Sequence, residues 1–275
     1  MKDQSRSSTL NLSGRIEVLH AQYEGKAFAP HWHEEYAIGL IDRGVEQFEY
    51  QGAIHHAAEG QIILLNAGDV HTGEAVNEAG FGFRMLYVPE STFRELAPQL
   101  QVKETIRFRQ AVMTPRAAGT QLLRAHRSLA SGCSLLQIEA LFTEALTAVL
   151  HETHNWQEPQ RALALPSGLL RARDYLHDHL EDDVSVDELA NVAGVSRYHF
   201  VRAFKHRFGL PPHAYQLQQR VFLAKHLLRL FPVHRVAQDT GFSDQSHFHR
   251  VFRALVGTTP GQYAQQFRPR RGLGT

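Results

Sequence analysis

The C-terminal half of this 275-residue chain contains an internal repeat. A pattern that begins at Leu189 recurs at Val236, an offset of 47, and the offset becomes 48 from Phe200 and Phe248 onward. One residue is therefore inserted in the second copy, and we place it early in the second helix. The other paired positions are Ala190 and Ala237, Gly194 and Gly241, Ser196 and Ser243, Phe204 and Phe252, Gly209 and Gly257, Pro212 and Pro260, and Tyr215 and Tyr263. Such a repeat indicates two copies of one supersecondary unit.

Each copy has the pattern of a helix, a tight turn and a second helix. A glycine at the turn supplies the positive φ that ends the first helix. In the first copy Ser196 is expected to cap the second helix, and Phe200 and Phe204 lie one turn apart on its buried side. Ser243 is the corresponding cap in the second copy. Between the copies, residues 212–231 predict one long helix that holds them at a fixed separation.

The side of each second helix opposite the phenylalanines is polar and basic. A helix fits the major groove of DNA, where Arg and Gln make bidentate contacts to guanine and adenine edges. A solvated surface would explain one such arginine, but two matching faces in a repeat favour DNA recognition. We therefore predict a DNA-binding face that consists of Arg197, Tyr198, Val201, Arg202, Lys205, Gln245, Ser246, His249, Arg250 and Arg253.

The charge of the chain divides at the same place. The whole chain has a net charge of +1. Residues 167–275 contain 15 Lys/Arg and 9 Asp/Glu, a net charge of +6, whereas the residues before them contain 14 and 19, a net charge of −5. A basic module that binds a polyanion, joined to an acidic module with another task, is the simplest account.

The repeat resembles the DNA-binding domain of the AraC/XylS family of bacterial transcription regulators. The run 241–246 and the residues after it up to Tyr263 are similar to the family signature, and the resemblance covers residues 167–267. It implies two helix-turn-helix units that enter successive major-groove segments, about 34 Å apart, on one face of the DNA. It also implies that the bases are read by Tyr198, Val201, Arg202, Gln245, Ser246, His249 and Arg250.

The N-terminal half predicts β structure. Short β-rich runs at 36–41, 46–50, 61–65 and 82–88 alternate with turn sequences, one of them at 42–44. This spacing predicts an antiparallel sandwich or small barrel, which can enclose one small ligand. The fold class is therefore α+β multidomain, with an antiparallel β-barrel and helices followed by an all-α DNA-binding domain.

Three histidines in this half have the spacing of a binding site. His31 and His33 flank Trp32, and in an extended strand both imidazoles lie on one face. His71 follows a glycine-containing turn. Together with Glu35, these three histidines are the residues predicted to bind a ligand. Three converging imidazoles are also a ligand set for a divalent metal such as zinc, iron or manganese.

The order of these histidines and glycines is similar to the cupin motifs, and AraC-type regulators commonly carry a cupin-like sensor at this end. Metal-binding cupins usually have a glutamate four or five positions after the second histidine, where this chain has Ala37 and Ile38. Three interpretations stay open: a metal held by the three histidines, a metal-free pocket in which they and Glu35 hydrogen-bond a polar effector, and purely structural histidines. The metal-free pocket is preferred, so no cofactor is predicted.

The remaining segments complete the domain division. Residues 115–129 and 134–153 predict two amphipathic helices that pack on the sheet of their own domain and leave part of a stripe for a second subunit. A homodimer is therefore predicted. The predicted division is 1–12 as a flexible tail, 13–112 as the cupin-like domain, 113–154 as the helical segment, 155–166 as a linker, 167–268 as the DNA-binding domain and 269–275 as a basic tail.

The predicted function is that of a DNA-binding transcription regulator and not of an enzyme. A small effector in the N-terminal barrel changes the affinity for double-stranded DNA or the contact with RNA polymerase. The resemblance implies activation. The alternative is a metal-dependent cupin enzyme with an appended DNA-binding module. The missing glutamate argues against the enzyme, and so does the lack of an acid–base pair near the histidines.

The sequence also predicts where the protein works. No apolar run approaches the roughly 20 residues that a bilayer requires, and no secretory signal is recognisable. Cys133 is the single cysteine and fits a reducing compartment. We therefore expect a cytoplasmic protein without a membrane partner.

Overall fold

The first part of the structure consists mainly of β-strands whose side chains alternate between buried and exposed, and the second part consists of amphipathic helices. The structure is a computed structural model that describes residues 4–12, 14–25, 27–96, 106–153 and 167–267. The chain divides into two units, Met1–Arg161 and Ala162–Thr275. The linker predicted at 155–166 and the basic tail predicted at 269–275 lie outside the described residues.

The first unit consists of antiparallel strands and three helices in its described residues. The strands are β1 (Gln4–Asn11), β2 (Arg15–Tyr23), β3 (Ala27–His31), β4 (Tyr36–Tyr50), β5 (Ala53–Ala58), β6 (Ile62–Leu65), β7 (His71–Ala75), β8 (Phe81–Val88) and β9 (Val112–Met113). The helices are α1 (Glu90–Leu96), α2 (Ala118–Ser128) and α3 (Leu135–Glu152).

β4 is a single strand of 15 residues that belongs to two sheet layers. Its first part, up to Ile41, pairs with β6 and β8, and its second part, from Val45, pairs with β5 and β7. The turn predicted at 42–44 is instead an irregularity inside one strand, where the chain passes from one layer to the other. Gly44 permits this bend, because its φ is 70° and a Cβ atom there would clash with the Gly80 carbonyl oxygen.

The prediction of a flexible tail at 1–12 is wrong for residues 4–11, which form β1. This strand pairs with β2 along its length, from Gln4 opposite Gln22 to Asn11 opposite Arg15. The segment is mostly polar and therefore has little of the hydrophobic alternation that marks a strand. Its pairing satisfies backbone groups that β2 would otherwise expose as an edge strand.

The predicted antiparallel architecture is confirmed, but the sheet is not a closed barrel. The strand order is β1–β2–β8–β4–β6–β9, with β5 and β7 paired to β4 and β3 paired to β7. Among the described residues, β1 and β9 at the ends of this order do not pair with each other. β9 contains two residues, which is too short to continue the sheet around to β1.

Two apolar clusters lie on the two sides of the larger sheet layer. In the first, Phe142 and Leu146 of α3 join Ile38 and Leu86 of the sheet, so the predicted packing of amphipathic helices on the sheet is confirmed. The second lies between the sheet layers and is rich in aromatic side chains, among them Tyr23, Phe48, Phe81 and Phe83. This inner aromatic cluster surrounds the region where the predicted ligand-binding histidines converge.

The second unit is helical in its described residues and contains the two predicted helix-turn-helix repeats. Its helices are α4 (Ser167–Asp178), α5 (Val186–Ala193), α6 (Arg197–Phe208), α7 (Pro212–Leu227), α8 (Val233–Asp239), α9 (Gln245–Val256) and α10 (Pro260–Gln265). The long connecting helix is α7, which ends before the predicted limit at 231. No helix in the described part of the chain is both long and apolar enough to span a bilayer.

The second helix of each repeat begins at a side-chain cap four residues before a buried phenylalanine. Ser196 accepts from the His199 amide and caps α6, as predicted. Asp244, and not Ser243, caps α9, where its Oδ1 accepts from the His247 amide at 2.7 Å. The extra residue of the second copy therefore lies in the turn before the helix and not inside it. The phenylalanine pair therefore lies at the same distance from the start of the helix in α6 and in α9.

Arg220 of α7 joins the α4–α5 connection to the second repeat. Its guanidinium donates to the carbonyl oxygens of Leu180 and Asp182, at 2.8 Å each, and to that of Gly241 in the turn of the second repeat. Gln216 donates to the same Asp182 carbonyl at 2.9 Å. Because one buried cation satisfies carbonyl groups just before the first repeat and in the turn of the second, it fixes these two segments against α7.

We expect Arg220→Met to lower the free energy of unfolding of the second unit by about 2–4 kcal/mol, because buried carbonyl groups lose a charged donor. Both tryptophans of the chain, Trp32 and Trp156, precede this unit. Urea unfolding followed by far-UV circular dichroism should therefore shift, whereas the tryptophan fluorescence transition should not. Arg207→Met, at an exposed position of α6, is the control. Equal effects of the two substitutions would contradict the role of Arg220.

Candidate functional site

The recognition face comprises the ten residues predicted on α6 and α9. Phe200, Phe204, Phe248 and Phe252 are fully buried, so the opposite sides of both helices point to solvent. Val201 and His249 are half-buried. The exposed members are Arg197, Tyr198, Arg202, Lys205, Gln245, Ser246, Arg250 and Arg253. The structure thus brings the predicted residues together on one exposed side of each helix.

Tyr198 and Arg202 form one element of the recognition face on α6. Tyr198 is 73% exposed, and the Arg202 guanidinium carbon lies 5.5 Å from the centroid of its ring. This pair presents a flat aromatic ring and a fork of donors to solvent. Arg197, in contrast, forms an ion pair with Asp187 of α5 at 3.1 Å, and contact with DNA requires it to leave this partner.

The only acidic residue next to the recognition face of α9 is turned toward the helix end. Asp244 accepts from the His247 amide, and this hydrogen bond lowers the pKa of its carboxyl. Its negative charge therefore lies at the N-terminus of α9, the positive end of the helix dipole, and stabilises the helix there. The Nε2 atom of His249 is buried without a hydrogen-bond partner among the described residues, so this side chain lies deeper than its neighbours.

The histidine cluster consists of His31, His33 and His71. One ring nitrogen of each lies within 4.8 Å of those of the other two. The ring centroids of His31 and His71 are 4.4 Å apart, and His33 lies 5.0 and 5.1 Å from them. The predicted convergence is therefore found, although β3 ends at His31 and His33 follows it outside the strand.

Backbone carbonyls orient two of these imidazoles. The Nδ1 atom of His31 lies 2.8 Å from the Ala29 carbonyl oxygen, and that of His71 lies 3.2 Å from the Asp69 carbonyl oxygen. Because a carbonyl only accepts, each Nδ1 carries the proton and leaves Nε2 with a lone pair. Burial lowers the pKa of His71 well below its usual value, with a further contribution from His31. His71 thus offers a neutral imidazole nitrogen to a ligand.

Asp69 holds the turn from which His71 extends. Its Oδ2 accepts from the Tyr50 hydroxyl and from the Arg107 guanidinium, each at 2.8 Å. The nearby amide of Gly68 donates to the His33 carbonyl at 2.7 Å. These contacts connect the β6–β7 turn to the segment that carries His33, so the three imidazoles are held by one network.

Glu35, the acidic residue predicted to bind a ligand together with the histidine cluster, lies less close to the histidines than they lie to one another. Glu35 is half-buried and lies just before β4, on the strand side shared with Ala37 of the inner aromatic cluster. None of its hydrogen bonds or ion pairs in the described residues joins it to an imidazole. The three histidines have the donor type that a divalent metal requires, but Ala37 and Ile38 occupy the positions where a carboxylate would complete the set.

Glu46 is a buried carboxyl that sequence reasoning missed. It lies on β4 with 6% of its surface exposed, and its Oε2 has no hydrogen-bond partner among the described residues. Burial raises the pKa of Glu46 to about 8. A sequence signal existed, because Glu46, Phe48 and Tyr50 share one strand face and the two aromatic residues mark that face as buried.

Known protein families match both units. A model of the AraC-like ligand binding domain matches residues 13–146, and a model of a helix-turn-helix domain matches residues 189–266. The chain is similar to the HTH-type transcriptional regulator YbfI of Bacillus subtilis, with 25% identity over 249 residues, 89% of this chain and 90% of that protein. It is also similar to the HTH-type transcriptional activator RhaS of Escherichia coli, with 26% identity over 86% of this chain and 88% of that protein.

A solved structure has the same overall fold. A crystal structure of ToxT from Vibrio cholerae superimposes with a TM-score of 0.58 and covers 98% of each chain. The two sequences are 11% identical, so the likeness concerns the fold alone. The succession of an antiparallel β unit and a helical unit with two helix-turn-helix repeats is thus shared with a protein of known structure.

We expect Glu46→Gln to remove a pH dependence of stability. The folded-state pKa of about 8 lies above the usual 4.5, so the contribution of Glu46 to stability is present below about pH 4.5 and is lost as the pH rises to 8. The variant should match the wild type near pH 4.5 and exceed its free energy of unfolding by about 2–5 kcal/mol at pH 8.5. Urea unfolding at both pH values measures this difference.

The control for this prediction is Glu49→Gln, the same substitution at an exposed position of β4. This control should follow the wild type at both pH values. If Glu46→Gln also followed the wild type at pH 8.5, the Glu46 carboxyl would not be desolvated as described.

Proposed function

Because the chain belongs to the AraC family of transcriptional regulators, we propose that it binds specific DNA sequences and that a small effector in its N-terminal unit controls this binding. The observation that carries the proposal is the pair of exposed recognition helices, each with a buried phenylalanine pair on its other side. As a regulator of transcription it acts in the cytoplasm, on double-stranded DNA.

The proposed DNA contacts divide into base and phosphate contacts. Arg202 and Arg250 lie at the centre of their helices and have the fork that reads guanine, and Gln245 has the amide that reads adenine. Lys205 and Arg253 lie one turn further along and suit phosphate contacts. Tyr198 and Val201 offer apolar surface to a thymine methyl group, and Ser246 and His249 complete the base-reading set. Arg197 contacts a phosphate group in place of its ion pair with Asp187.

The histidine cluster is the proposed polar end of the effector pocket, with Glu35 at its edge. Neutral imidazoles hydrogen-bond a polar ligand without a metal, and the inner aromatic cluster covers its apolar part. The effector acts as a switch only if it binds the active and inactive states with different affinity. We propose a regulator and not a metal-dependent enzyme, in keeping with the names of its relatives.

The proposed output is activation through contact with RNA polymerase. Its support is the resemblance to RhaS, which is described as a transcriptional activator. The recognition face occupies one side of α6 and α9 and leaves the other exposed surfaces of the second unit for this partner.

A homodimer is proposed through the start of α3. Leu135 and Leu136 are 63% and 76% exposed, and Leu135 belongs to the apolar stripe of this helix. Burying both in a second copy removes their apolar surface from water. Sedimentation velocity at micromolar concentration should give a dimer for the wild type and for Leu230→Ser, a matched exposed leucine of the second unit, and a monomer for the double serine variant. A wild-type monomer would contradict the dimer.

We expect Arg250→Ala to weaken binding to DNA sites selected from a random pool by roughly 1–3 kcal/mol and to relax specificity at one base pair. The wild-type affinity should fall steeply with salt, because phosphate contacts release counterions. Fluorescence anisotropy on the selected site and its single-base variants measures both quantities.

Arg235→Ala is the matched control for this experiment. Arg235 lies exposed on α8, outside the recognition face, where it pairs with Asp239 at 3.2 Å. The control should bind like the wild type. An equal loss on every sequence for Arg250→Ala would make Arg250 a phosphate contact, and no DNA retention by the wild type would overturn the proposed function.

A further inference from the structure

We propose that Glu46 binds a protonated amine of the effector, so that the N-terminal pocket selects small organic cations. This inference rests on the proposed function, because it names the ligand class of the pocket. It adds a fifth side chain to His31, His33, His71 and Glu35, on the same strand layer as His71.

Small residues on the neighbouring strands surround the Glu46 carboxyl. β4 lies between β5 and β7, and the residues paired with Glu46 on these strands are Ala57 and Ala75. The next inward position of β7 is Gly73, where a Cβ atom would lie 2.6 Å from Glu46 Oε1. Small residues on both sides therefore form a cradle for the carboxyl that larger side chains would fill.

The carboxyl has no structural partner that explains its burial. Its Oε2 lacks a hydrogen bond among the described residues, although Glu46 is 6% exposed. A buried polar atom without a partner costs on the order of 1–3 kcal/mol, which an apolar side chain at this position would avoid. A group that supplies donors to this oxygen is therefore the missing component of the site.

Glu46 and the histidine cluster belong to one continuous region. His71, Gly73 and Ala75 alternate with outward residues and so face the interior together. The point at which a Gly73 Cβ would lie is 3.4 Å from Phe28, whose ring centroid is 5.9 Å from that of His31. Gly73 is two residues from His71, or about 7 Å along the strand. The Glu46 carboxyl and the imidazoles therefore border one interior region of the β unit, and the proposed ligand lies between them.

The surroundings favour a cation over other ligands. A protonated amine supplies donors and a positive charge, and so stabilises the ionised form of a carboxyl that burial otherwise keeps protonated. The Phe28 ring lies near Gly73, next to the carboxyl, and packs edge to face with the Tyr23 ring at a centroid distance of 5.2 Å. Aromatic faces attract cations. A ligand anion would be repelled by the Glu46 carboxylate, because little water is present there to screen the two negative charges. A hydroxyl ligand supplies a donor but no countercharge.

Calorimetric titration of the full chain tests the proposal with three amine probes: tyramine, putrescine and agmatine. The wild type should bind at least one of them. Glu46→Gln should bind that probe at least tenfold more weakly, and Glu49→Gln should bind it like the wild type. The uncharged alcohol analogue of the bound amine should bind more weakly than the amine. Circular dichroism verifies that each variant is folded.

Three outcomes overturn the proposal: none of the amines binds, Glu46→Gln binds the amine as tightly as the wild type, or the alcohol binds more tightly than the amine. Fluorescence anisotropy with the selected DNA, measured on the same proteins, distinguishes failure of the amine proposal from failure of the proposed function. If DNA binding and its dependence on Arg250 hold while the amine results fail, the pocket takes another class of ligand and the regulator assignment stands.

Discussion

The second unit depends on the burial of two phenylalanines one turn apart in each recognition helix. Each buried ring contributes on the order of 1.5–3 kcal/mol, and together they fix which side of α6 and of α9 faces inward. The periodicity of the helix then places the basic and polar residues on the opposite side, where most of them are exposed. Arg220 links the second repeat to the segment that precedes the first, since its hydrogen bonds join the carbonyl groups of Gly241 and Leu180.

The first unit depends in a similar way on the bend inside β4. A single strand that belongs to both layers places the inward residues of its second half opposite those of β8 across the inner aromatic cluster. Glu46 and His71 share the second layer, while His31 reaches the same space from β3. The fold thus brings together polar groups that are far apart in sequence.

The repeat was predictable in detail because its determinants are local. Buried phenylalanines, a glycine of positive φ and a capping side chain each act within one helical turn, so they are visible in the sequence. The cap of α9 was assigned one residue too early, since Ser243 and Asp244 both have capping side chains and only the position of Phe248 decides between them. The convergence of the histidines was predictable as a hypothesis from the cupin-like spacing.

The features that were not predicted from the sequence depend on pairing between distant segments. β1 is mostly polar and exists because its backbone groups pair with β2, which no side-chain pattern encodes. The bend of β4 at Gly44 looked like a turn, because the glycine that permits a bulge also permits a hairpin. Glu46 was missed because the small residues that border its carboxyl, Ala57 and Gly73, lie on neighbouring strands.

We propose that two recognition helices, held at a fixed separation, read successive grooves of one DNA face. Hydroxyl-radical footprinting of the full chain on a selected site tests it most directly. We expect two protected patches on one face of the DNA, with centres about 10–10.5 base pairs apart. A single patch, or two patches on opposite faces, would contradict it.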